Sequence, residues 1–115
     1  MDYAQEIRRL KQSKNVALLA HFYEEGAIQD LSDYVGDSLH LAQVGEKLDN
    51  KLIVLNGVYF MAESVKILSP TKRVLLADTK AGCSLVDQSP EPAYRQWREE
   101  HPEAIAVTYV NSSAA

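Results

Sequence analysis

The chain has 115 residues, 46% of them apolar and 24% charged, with a formal net charge of −4 at pH 7. That length fits one domain, able to bury roughly two-thirds of its unfolded surface without disulfide staples. The twelve basic residues are scattered along the chain, which argues against nucleic acid or an anionic membrane as a main partner.

The opening stretch, MDYAQEIRRLKQSKN, is charged and has no apolar signal-like centre. No apolar run approaches the length of a membrane span. The single cysteine, Cys83, cannot form an internal disulfide, so a reducing, cytoplasmic setting is expected.

Residues of about 2–12 place Tyr3, Ile7 and Leu10 at helical spacing among charged neighbours, which predicts a short amphipathic helix. Lys14-Asn15 turns into an apolar run over 16–20. Such a run is what a strand buried in a parallel sheet requires. Asp30 or Ser32 can cap a following helix that carries Leu31, Val35, Leu39, Leu41, Val44 and Leu48. Gly36 interrupts it, with Gly36-Asp37-Ser38 expected to be exposed at the break.

A second strand is predicted over 51–55, then a helix over 59–68 stopped by Pro70. A third strand covers 73–77, a long loop with Cys83 runs to about Pro90, and a helix spans about 92–101. A fourth strand is expected over 105–110, and Asn111-Ser112-Ser113-Ala114-Ala115 reads as the cap and start of another helix. The chain therefore reads as cut where a further element begins. The fold class is α/β: a four-stranded parallel sheet with helices on both faces, a three-layer sandwich.

Ligands of open α/β sheets bind at the carboxyl ends of the strands. His21 and Tyr23 follow the first strand there, with Asp37 and Ser38 a turn later. Asn56, Gly57, Phe60 and Met61 follow the second, Gly82, Cys83 and Ser84 the third, and Tyr109, Asn111, Ser112 and Ser113 the fourth. Each has a plainer reading. His21 can be a hydrogen-bonded structural histidine, Tyr23 and Tyr109 edge aromatics, Asp37 and Ser38 helix caps, and Phe60 and Met61 core residues. Cys83 sits in a glycine-containing loop away from any apolar run, which favours a ligand or reactive role. One cysteine cannot hold a zinc or iron–sulfur site alone.

Ala20-His21-Phe22-Tyr23, Ile28-Gln29-Asp30, Val35-Gly36-Asp37-Ser38-Leu39, Gly57-Val58-Tyr59-Phe60-Met61-Ala62-Glu63-Ser64, Lys66-Ile67-Leu68-Ser69-Pro70, Ala81-Gly82-Cys83-Ser84-Leu85 and Tyr109-Val110-Asn111-Ser112-Ser113-Ala114 resemble the quinolinate synthase family, in order and at matching spacing. The resemblance implies three similar α/β domains around a central cavity, of which 1–115 is the first. It implies a [4Fe-4S] cluster with one cysteine from each domain, and a condensation of iminoaspartate with dihydroxyacetone phosphate to quinolinate in NAD biosynthesis. L-aspartate oxidase is then the candidate supplier of iminoaspartate.

Carried over by motif, Cys83 resembles the first cluster ligand. His21 and Ser38, with Asp37 beside them, resemble groups that hold substrate carboxylate or phosphate oxygens. Tyr23 and Tyr109 resemble a pair of phenols near the reacting carbons, Asn111 an amide that orients the intermediate, and Phe60 and Met61 the cavity lining. With two domains missing, the segment alone is expected neither to hold a stable cluster nor to turn over. The alternative is a stand-alone doubly wound module that binds a small anion without catalysis.

Overall fold

The computed structural model describes residues 1–88 and 90–114. Helix α1 (Tyr3–Lys14) starts where the Asp2 carboxylate accepts the Gln5 N–H at 3.1 Å. It ends at Asn15, whose left-handed φ of 50° lets the chain reverse into the sheet. Strand β1 (Val16–His21) follows as the expected apolar run, and its central four residues are buried.

Helix α2 (Gly26–Leu31) ends where one broken helix was expected to begin, and strand β2 (Tyr34–Gly36) takes up its first part. The reason lies at Asp33. Its N–H donates to the Leu18 carbonyl at 2.7 Å, and its carboxylate accepts the Leu18 N–H at 2.8 Å. These two bonds lay Tyr34-Val35-Gly36 alongside β1, with His21 paired to Gly36. Helix α3 (Ser38–Lys47) then starts anew, with Asp37 as its N-cap.

Strand β3 (Leu52–Asn56), helix α4 (Tyr59–Leu68) and strand β4 (Arg73–Leu76) match the sequence reading closely. A one-turn helix, α5 (Ser84–Asp87), lies inside the long loop, and α6 (Glu91–Glu100) follows. The four strands are parallel, in the order β2-β1-β3-β4.

The predicted strand over 105–110 does not join this sheet. Ile105 and Val107 are 90% and 91% exposed, and the fourth strand is β2 instead. A β-rich apolar run forms a strand only where a neighbour offers an open ladder of backbone groups. No helix starts over 111–114 either; Ser112 N–H closes a tight turn onto the Val110 carbonyl at 2.7 Å, and Ala115 lies outside the described residues.

Helices α3 and α4 cover one face of the sheet. Leu19, Ile53 and Leu55 point into the core there, against Leu41 and Val65, and all five are fully buried. Gly45 lets the two helices approach, since a Cβ there would lie 3.2 Å from the Val65 side chain. On the other face α1 and α2 pack over the β1 side, leaving a groove of about 350 Å³ in which Ile7 and Leu10 face Val54 and Leu75. Helices on both faces make the sandwich expected from the βα alternation.

Candidate functional site

The carboxyl ends of the strands gather the polar and aromatic residues. His21 is the last residue of β1. Its ring stacks on Phe22 at a centroid distance of 4.5 Å and lies 4.7 Å from the Tyr23 ring. Its Nδ1 accepts the Tyr23 backbone N–H at 3.1 Å. That bond requires a lone pair on Nδ1, so the neutral ring assigned from this network carries its proton on Nε2. Partial burial pushes the His21 pKa below its ordinary value of 6.5, against the opposing pull of the Asp37 and Glu24 carboxylates. His21 is thus built as a neutral hydrogen-bond donor.

Asp37 does the work of the plainer reading, because its carboxylate accepts the His40 N–H at 2.7 Å and caps α3. It also brings its charge near His21. Ser38 is buried, at 3% exposure, where the sequence reading expected an exposed break. The physical cause is its place in the first turn of α3, on the side that packs against the sheet. Tyr23 differs from both: it is 84% exposed, and its phenol makes no hydrogen bond among the described residues.

The second wall comes from the β3–α4 turn. A Cβ on Gly57 would lie 3.0 Å from Met61 Sδ and 3.8 Å from His21 Cβ, so this backbone passes tightly between the two. Phe60 and Met61 are themselves buried in the hydrophobic cluster, with Met61 at its rim against Gly57. The loop after β4 is tied to the same place by the Tyr59 N–H, which donates to the Ala81 carbonyl at 2.9 Å. That tie brings Gly82 and Cys83 to the start of α4. Cys83 is a free thiol, half-buried against the cluster together with Val86.

Tyr109 and Asn111 arrive by another route. They do not follow a strand of this sheet; with Ser112–Ala114 their segment lies along α4, where Glu63, Ser64 and Ile67 form the other wall of a cleft of about 400 Å³. No ring contact joins Tyr109 to Tyr23 among the described residues. Sequence reasoning passed over Glu24, whose charge acts on His21, and Glu63, which holds the Ala114 N–H at 3.0 Å. Glu63 could have been singled out, being an acidic residue at the centre of an otherwise apolar helix start.

The apolar groove on the opposite face carries no comparable chemistry. Its lining is apolar apart from Lys11, Lys14 and Asn56, and Lys11 is already engaged by the Leu31 carbonyl at 2.6 Å and the Asp33 carboxylate at 2.8 Å. A reactive site needs convergent polar groups as well as an apolar hollow. Among the described residues, the strand-end edge offers them.

The comparisons with known proteins agree on one family. A family model described as quinolinate synthetase A protein matches residues 5–115. The quinolinate synthase of Chloroherpeton thalassium is 49% identical over 114 residues, which cover 99% of this chain and 35% of that protein. That of Chlorobaculum tepidum is 53% identical over 109 residues, 95% of this chain and 34% of the relative. That of Nostoc punctiforme is 47% identical over 114 residues, 99% of this chain and 35% of the relative. The chain spans about a third of the length of these curated relatives.

Proposed function

The chain belongs to the quinolinate synthetase A family, and from that premise we propose that it forms the first of three similar α/β domains of a quinolinate synthase. The reaction is the condensation of iminoaspartate with dihydroxyacetone phosphate to quinolinate, a transferase step of NAD biosynthesis in the cytoplasm, with L-aspartate oxidase supplying the imine. The observation that carries this reading is the match over residues 5–115, which spans every motif of the strand-end edge.

The residues suit such substrates. Both reactants are anionic, and His21 offers an Nε2 proton from a ring whose Nδ1 is occupied by the Tyr23 N–H. A neutral donor beside Asp37 binds a carboxylate or phosphate oxygen without a titration at neutral pH. Ser38 and Asn111 add a hydroxyl and an amide as further donors. Tyr23, exposed and unpaired, and Tyr109, 61% exposed, present phenols able to take and return protons in a carbon–carbon condensation. Met61 packs against Gly57 on the His21 side, and Phe60 would line the cavity only from within the core cluster.

A [4Fe-4S] cluster is the group the family implies. Among the described residues no group of three or more His, Cys, Asp and Glu side chains comes together as a metal site. Cys83 fits as one thiolate ligand, held on a loop tied to α4, and the remaining ligands belong to the parts of the relatives beyond this length. When bound, the cluster supplies a Lewis-acidic iron for substrate oxygens.

The test is to purify the protein as its gene encodes it without oxygen, and to follow quinolinate formation from the two substrates. Turnover by the parent, with loss of both cluster absorbance and turnover in Cys83→Ala, is the expected outcome. A fully loaded parent that forms no quinolinate rejects the assignment.

A further inference from the structure

Residues 105–114 form neither helix nor strand and are largely exposed, yet they carry Tyr109 and Asn111. Their own hydrogen bonds are local. Ser112 N–H donates to the Val110 carbonyl at 2.7 Å, and the Ser112 hydroxyl donates to the Tyr109 carbonyl at 3.2 Å. These close a small turn without saying where the turn sits. Among the described residues, a single hydrogen bond joins this segment to the sheet and its helices: the Ala114 N–H donates to Glu63 Oε2 at 3.0 Å.

Glu63 is well placed to act as an anchor. Its helix, α4, is fixed at its start by the Met61–Gly57 contact beside His21 and along its length by the buried Phe60 and Val65. The other carboxylate oxygen, Oε1, is buried and has no partner among the described residues. A charge-assisted bond from a backbone N–H to a carboxylate oxygen is among the stronger ones available. Glu63 makes no ion pair among the described residues, and the Ala114 N–H, on Oε2, is the hydrogen-bond partner its side chain has there.

We propose that Glu63 is a positioning residue, whose carboxylate pins the Tyr109–Ala114 turn to α4 and so sets Tyr109 and Asn111 at a fixed distance from the His21 wall. Helix α4 is then a rigid spacer between the two halves of the site: one end grips His21 through Gly57 and Met61, and the next turn grips Ala114. The proposal rests on the functional reading above for the assignment of Tyr109 and Asn111 to the site.

Hydrogen exchange and steady-state kinetics on the protein as its gene encodes it, with Glu63→Ala and Glu63→Gln beside the parent, test this. In Glu63→Ala, exchange over 109–114 should speed up while β1 and β3 keep their protection. The turnover number should fall by roughly tenfold or more, the scale of one lost charge-assisted bond, with the cluster absorbance unchanged. Glu63→Gln keeps an acceptor oxygen and should recover part of both effects. Unchanged exchange over 109–114 in Glu63→Ala overturns the anchor whatever the enzyme does. Faster exchange with unchanged turnover overturns the positioning role. If the alanine variant does not fold, a glutamine variant with neither change is enough to reject the proposal. A parent that makes no quinolinate, but whose 109–114 exchange responds to Glu63, removes the functional reading and leaves the anchor standing.

Discussion

The Tyr23 backbone N–H donates to Nδ1 of His21 at 3.1 Å, so the second residue beyond β1 fixes which nitrogen of the strand's last residue carries the proton. This bond and the partial burial of the ring work in the same direction. Protonating Nδ1 would cost the Tyr23 contact, and burial already disfavours the imidazolium.

A pH dependence follows. The folded-state pKa of His21 lies below its ordinary value of 6.5. The unfolded chain therefore binds a proton more readily than the folded one between the two values. The stabilising contribution of neutral His21 is fully present above about 6.5, the unfolded value. It is lost as pH falls through the lower folded value. NMR titration of the His21 ring should give a midpoint below 6.5. A midpoint above it would mean that Asp37 and Glu24 outweigh burial.

Tyr23 separates function from folding. At 84% exposure, with no hydrogen bond to its phenol among the described residues, its hydroxyl contributes nothing to the packed structure. Tyr23→Phe should leave the unfolding free energy within about 0.5 kcal/mol of the parent, as surface changes do. Under the proposed reaction the same change should cut turnover sharply. Thermal melts beside quinolinate assays decide it, and full activity in Tyr23→Phe removes the phenol from the chemistry.

Much of this was legible before any coordinates. The runs Val16–Ala20, Leu52–Leu55 and Arg73–Leu76 read as parallel strands and formed them, β1 buried along its centre, β3 on alternate residues and the edge strand β4 only partly covered. Strand β2 was hidden because it is only three residues long and its Val35 falls at helical spacing from Leu31 and Leu39. What makes it a strand is a tertiary contact, Asp33 against Leu18, that no local pattern records. Ile105–Val110 misled for the opposite reason, having strand chemistry without a partner in this sheet. The candidate residues on β1, the β3–α4 turn and the Cys83 loop could be placed from topology alone. Tyr109 could not, since its position depends on Glu63 and α4 rather than on a strand end.

The contact between α3 and α4 offers a clear magnitude test. A Cβ on Gly45 would lie 3.2 Å from Val65 Cγ1 and 3.4 Å from Ile53 Cδ1, both fully buried side chains. Gly45→Ala gains roughly 0.5–1 kcal/mol of helix propensity, which offsets the few tenths of an ångström the neighbours must yield. It should be near neutral. Gly45→Val adds two methyl groups to the same gap and should destabilise by about 1–3 kcal/mol through overpacking. Denaturant melts of the pair should therefore diverge. Equal stability of the two would show that the helices separate freely.

Lys72 gives the last expectation. Its Nζ donates to the Gly45 carbonyl at 2.6 Å and also to the Leu48 carbonyl, both at the carboxyl end of α3. Those carbonyls belong to the unsatisfied end of the helix, where a cation is favoured both by the dipole and by direct hydrogen bonds. Lys72 itself sits just before β4, and the Arg73 N–H donates to the Lys51 carbonyl at 2.9 Å, so the strand holds it in reach. Lys72→Met keeps the aliphatic stem and removes the ammonium, leaving the two carbonyls without that donor. The change should cost about 1–3 kcal/mol, while Lys72→Arg, which keeps a cation, should recover part of it. Added salt should narrow the difference between parent and methionine variant only modestly, because the contact is half-buried and screening acts mainly on exposed charge. A methionine variant as stable as the parent would mean that water caps α3 equally well.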